Sequence, residues 1–123
     1  MTNFSDSMSD RFMILVVNVI KLEKLLCKTY SGRHIYGQLF RAITSAGANY
    51  EESRAGESSA DFIHKMQIVL KELRESNFWI KVITSTKMTT SENEVQKFIC
   101  KESKELTNII AKSIVTAKSN RKM

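Results

Sequence analysis

With 123 residues, 42% of them hydrophobic and 26% charged, the chain has the size and balance of one folded domain and not of a disordered polymer. It contains no proline and only four glycines, which argues against many strands joined by tight hairpins and predicts an all-α fold. The net charge of +6 favours acidic partners and is unevenly spread: residues 101–123 hold six Lys or Arg against two acids, whereas residues 51–100 hold seven against eight.

The first helix is predicted over about Ser9 to Tyr30. Ser9 or Asp10 caps it, and Phe12, Leu15, Val16, Val19, Leu22 and Leu26 recur at helical spacing. Val17, Ile20 and Leu25 widen that stripe, so this helix is expected to bury more than one face. Ser31 and a left-handed Gly32 form its expected stop. The same apolar stretch is interrupted by Asn18, Lys21, Glu23 and Lys24, too short and too polar to span a membrane. No charged leader precedes an apolar core near Met1, so no secretory signal is expected and the predicted location is cytoplasmic.

The second helix is predicted from about Ile35 to Arg54, with Leu39, Ala42, Ile43, Ala46 and Tyr50 inward. Residues 55–59, around Gly56, form a link. The third helix follows over about Ala60 to Ser85, capped by Ser58 or Ser59. A Thr/Ser-rich loop leads to a capping box of Ser91 and Glu94. The fourth helix then runs over about Glu92 to Ala117. Short links make neighbouring helices antiparallel, which predicts an up-and-down four-helix bundle as a single domain, with residues 1–8 and 118–123 frayed.

Cys27 and Cys100 form no metal-binding or disulfide spacing and read as small buried apolar residues in a reducing compartment. A di-metal bundle needs Glu-x-x-His pairs, and His34 and His64 are not so placed, so neither metal nor cofactor is expected. Ser45, Cys27 and His64 lack activating company, and no catalytic residue is expected.

The polar segment Arg41, Ala42, Ser45, Gly47, Ala48, Asn49, Glu51 resembles the small-residue, Asn-x-x-Glu-type signature of the bacterial four-helix bundle family, the intervening-sequence proteins of large-subunit (23S) rRNA genes. A second block supports it: Asp61-Phe62-Ile63-His64-Lys65-Met66, then Leu70-Lys71-Glu72, Glu75-Ser76 and Phe78-Trp79. The sequence departs from the pattern at Glu52, where many members have Gly, and at Gly47, where many have Pro. The resemblance implies a ring-like homopentamer of bundles. It also relates the chain to the basic, nucleic-acid-associated accessory proteins of diversity-generating retroelements.

Residue roles follow as expectations. Asn49, Glu51, Glu72 and Ser76 form a structural polar signature, with carboxylates pairing to Arg41, Arg54, Lys65 or Arg74 across helices. Contacts to RNA or DNA are expected from Arg41, Arg54, Lys101, Lys104, Lys112, Lys118, Arg121 and Lys122, the alternative being a solvated basic face. Tyr50 and Trp79 are the candidates for an oligomer interface or for docking a protein partner, while Phe78 reads as core. The functional expectation is a non-enzymatic oligomer that binds nucleic acid without sequence preference; the competing reading is a scaffold for protein–protein contacts.

Overall fold

A computed structural model describes residues 3–89 and 93–122, the last without its side chain. It contains α1 (Phe4–Leu22), a 3-10 turn (Glu23–Leu25), α2 (Tyr30–Arg54), α3 (Ser59–Ser85) and α4 (Glu94–Lys122). Each helix packs on the next and α4 closes against α1, which gives the expected antiparallel four-helix bundle. No strand occurs among the described residues.

Buried positions recur at alternating three- and four-residue steps, as Met8, Phe12, Leu15, Val19 and Leu22 do on α1. Leu39, Ile43, Ala46 and Tyr50 follow the same rhythm on α2 and Ile99, Ser103, Leu106 and Ile110 on α4. This spacing keeps one stripe of each helix on the central axis, the packing of a left-handed coiled-coil seam. Ala42 and Ala46 are fully buried on α2, so the small-residue run brings α2 close to its neighbours.

The ends of the first two helices differ from expectation. α1 begins at Phe4 because the Asn3 side chain accepts from the Asp6 amide at 2.8 Å. It stops at Leu22, well before Tyr30, because the backbone tightens into a 3-10 turn and Leu26 becomes extended. The Cys27 N–H then donates to the Met88 carbonyl at 2.9 Å, a tertiary bond that competes with continued helix. α2 starts at Tyr30 with Thr29 as its cap, accepting from the Gly32 amide at 3.0 Å. Gly32 is therefore a first-turn residue of α2 and not a left-handed stop. A methyl group there would sit 2.7 Å from the Cys27 carbonyl oxygen, so the sharp corner requires glycine.

The left-handed residue is Lys87, with φ of 55°. Its N–H donates to Thr84 O and the Met88 N–H to Ile83 O, closing α3 in a Schellman motif with Met88 tucked into the core. At α4 the Asn93 side-chain oxygen accepts from the Gln96 amide at 3.1 Å. The expected cap Ser91 lies outside the described residues. Both α1 and α4 extend into segments where fraying is predicted, α4 as far as Lys122. Cys27 is exposed and Cys100 half-buried, because Cys27 falls in the corner after α1 and not on a helix face.

Candidate nucleic-acid interface

Of the polar signature read from the sequence, Glu72 joins a seam between α2 and α3, whereas Asn49, Glu51 and Ser76 bond within their own helices. Arg41 on α2 reaches Glu72 at 3.2 Å and also pairs with Glu75, both on α3. Glu72 is buried, so this charge-assisted contact supplies the partner its carboxylate needs away from water. The Trp79 indole N–H donates to Glu75 at 3.0 Å. That bond first, and Arg41 second, hold the Glu75 carboxyl below its ordinary range. Lys65 pairs with Glu52 at 3.0 Å further along the seam. Fully buried Ser76 donates to the Glu72 carbonyl, and Asn49 donates to the carbonyl of Ser45 on its own helix.

Two of the cations expected to meet nucleic acid are thus occupied inside the subunit. Arg41 serves the seam, and Arg54 pairs with Asp6, donates to Ser9 at 2.6 Å and lies 3.7 Å from Glu51. The side-chain hydrogen bond to Glu75 in one case and to Asp6 in the other raises each guanidinium's pKa, so both remain charged.

A different basic surface forms where α3 meets α4. Asn77 donates to Thr107 at 2.9 Å and accepts from Ser103 at 2.6 Å, while Gln96 donates to Thr84 at 2.7 Å. These bonds fix the antiparallel register. Arg74, Phe78 and Lys81 follow one another at steps of four and three residues along an exposed strip of α3, with Arg74 and Lys81 on the Asn77 side of it. Lys104 shares the flank of Thr107, and Lys97 and Lys101 continue it along α4. A shallow groove of about 440 Å³ runs there, lined in part by Thr84, Gln96, Cys100, Lys101 and Lys104.

Arg74, Lys81, Lys101 and Lys104 have no described carboxylate within ion-pair distance. Lys97 lies 3.6 Å from Glu94, and Lys71 is close enough to Glu75 to help depress it. The reason is a division of charge across α3. In its central part, the acids Glu72 and Glu75 sit on the flank facing α2, and Arg74 and Lys81 lie away from it. The sequence tally for residues 51–100 hid this, because it is nearly neutral along the chain and segregated only in three dimensions. The spacing of 71, 74, 78 and 81 was the available signal.

Phe78 is 55% exposed in the middle of these cations, a correction to its assignment to the core. The core stripe of α3 runs through Leu73, Ser76, Ile80 and Ile83, and Phe78 falls on the opposite side of the turn. Trp79 is half-buried and packs against the core, with its ring edge-to-face on Phe78 at 5.0 Å.

The remaining expected residues lie elsewhere. Lys112 borders a groove with Phe4 and Phe62 at the opposite end of α4. Lys118 and Arg121 are exposed on its last turns. Lys122 lies outside the described side chains. Tyr50 is 4% exposed, stacked on Phe12 at 5.1 Å, with its hydroxyl on Ser5. Met13, Ile14, Val17 and Ile20 instead form an exposed apolar stripe on α1, although Val17 and Ile20 were expected to be buried. Beside it, Met13 and Val17 line a groove of about 460 Å³ with Thr44, Gly47 and Ala48 of α2. Among the described residues, no three His, Cys, Asp or Glu side chains gather as metal ligands, and no helix is long and apolar enough to cross a membrane.

No match emerges among curated proteins. Among solved structures, the chain is similar to a protein of unknown function from the S23 ribosomal protein family of Bacteroides thetaiotaomicron VPI-5482. The TM-score is 0.76 at 30% identity, covering 87% of this chain and 97% of that one. The sequence pattern of the 23S rRNA-intervening sequence proteins matches residues 8–112, and the chain belongs to that family.

Proposed function

We propose that this protein is a non-enzymatic, self-associating bundle that engages RNA or DNA through the phosphate backbone, with the α3–α4 flank as its contact surface. One observation carries the reading: Arg74, Lys81, Lys101 and Lys104 line a single flank with no carboxylate partner among the described residues. Such cations release condensed counterions when they meet phosphates, which gives salt-sensitive binding with little sequence preference. The exposed stripe of Met13, Val17 and Ile20 supports burial of α1 between copies, since a continuous apolar strip is unfavourable in water. A homopentameric ring would repeat the basic flank about its axis and turn a weak patch into a multivalent surface.

The same α1 stripe supports the second reading, a scaffold that docks another protein and ignores nucleic acid. Light scattering coupled to size exclusion separates them, with and without a short structured RNA, at about 50 and 200 mM salt. A multimeric mass that rises with RNA at low salt and reverts at high salt supports the ring. A multimeric mass indifferent to RNA supports the scaffold, and a monomer overturns self-association. Replacing Arg74, Lys81, Lys101 and Lys104 by Gln is expected to weaken RNA binding more than about tenfold and to reduce the salt slope by about 3, while leaving the mass unchanged.

A further inference from the structure

We infer that the α3–α4 flank prefers single-stranded nucleic acid, with Phe78 as a platform on which an unpaired base stacks. The inference rests on the phosphate-binding reading above and adds the class of strand. A duplex presents only phosphates and sugars to a flat basic face, and its higher charge density means that cations alone would favour it over a single strand. An exposed aromatic ring between those cations changes the match, because base–aromatic stacking requires a base free of its partner. Phe78 has that position, 55% exposed, with Arg74 one helical turn before it and Lys81 one turn after. On the neighbouring helix, Lys104 lies one turn before Thr107, which the Asn77 bond holds beside α3.

The ring is also held in place. Arg41 fixes Glu75, Glu75 accepts from the Trp79 indole, and the Trp79 ring braces Phe78 edge-to-face. A platform ordered before binding loses less rotamer freedom when a base arrives. The buried seam and the exposed ring are thus linked, and Arg41 acts here as a positioning residue. Glu75 is the carboxylate that braces the platform through Trp79, and Arg41 and Lys71 offset its charge.

The test uses the full chain and two labelled probes, a thymidine strand of about 12 nucleotides and a duplex of the same length. The wild-type protein is expected to bind the single strand more tightly. Phe78→Ala should weaken single-strand binding about tenfold, leave duplex binding unchanged, and keep the salt slope. Phe78→Tyr should retain the preference. Trp79, the one tryptophan, reports directly, and its emission should be quenched by the single strand but not by the duplex. Equal losses on both probes, or none, would overturn the stacking role while leaving phosphate binding standing. Failure of the wild-type protein to bind either probe would overturn both readings. Because Phe78 is mostly exposed, Phe78→Ala should melt within a few degrees of wild type, which separates lost binding from lost fold.

Discussion

On α1, positions 13, 17 and 20 repeat at helical spacing and present Met, Val and Ile to the outside; on α3, positions 71, 74, 78 and 81 repeat likewise and present Lys, Arg, Phe and Lys. Both stripes lie outside the same core, yet they ask for different partners. The α1 stripe is stabilised by losing water to another apolar surface, a short-range effect that salt does not screen. The α3 stripe and its α4 neighbours remain well hydrated alone and gain by exchanging counterions for phosphates. Periodicity thus identifies a helix face, whereas the side chains left outside the core decide what that face can meet.

Reversing the character of the apolar face should change the molecule most. Met13→Lys combined with Val17→Lys should reduce any multimer to monomer while keeping helix content, because neither side chain belongs to the buried core of the subunit. An unchanged mass by light scattering would remove α1 from the interface and redirect attention to other surfaces.

Next is the seam that separates the two faces. Arg41→Ala leaves the buried Glu72 carboxylate without its cation and should cost about 1–3 kcal/mol by urea unfolding. The same seam predicts a pH dependence. Glu75, lowered by Trp79 and then Arg41, prefers to be ionised in the folded state. Its contribution is present in full above its ordinary pKa near 4.5 and is lost as pH falls through the lower folded value. Arg41→Ala should therefore flatten the decline of melting temperature below that pH. A parallel decline in both proteins would place the acid sensitivity elsewhere.

Smaller effects probe the backbone at the ends and on the groove floor. Lys87→Gly should stabilise by about 1 kcal/mol, since Lys87 holds the left-handed position of the Schellman motif. Gly47→Ala should stabilise by about 0.5–1 kcal/mol, because a methyl there meets Val16 and Phe12 only at 3.8 and 3.9 Å. A melting temperature lowered by Gly47→Ala would mean that α1 and α2 are packed more tightly than those distances allow.

Much of the bundle was legible in the residues. The interior stripes, the lack of proline and the short link read at 55–59 are local features, and they suffice for four antiparallel helices. The carboxylate seam was legible as well, since Arg41, Glu72 and Glu75 are charged residues on adjoining helices and oppositely charged groups in a partly buried place must meet. The corner at Cys27–Gly32 was not. Its geometry depends on a hydrogen bond to Met88, far along the chain, and propensity alone would have carried α1 onward.

The helices, their order, the family signature and the excess of positive charge all follow from the chain of residues, because they depend on local periodicity and composition. Which charges remain free and which aromatic ring faces water follow from packing instead. Arg41 and Arg54 are consumed by carboxylates brought from other helices, whereas Arg74 and Lys81 stay exposed on the outer side of α3, where no described acid meets them. Trp79 and Phe78 differ by one residue, and a rotation of about 100° about the helix axis sends one against the core and the other into solvent. Ion pairing and exposure are properties of neighbours in space, and the packing of α3 between α2 and α4 sets those neighbours.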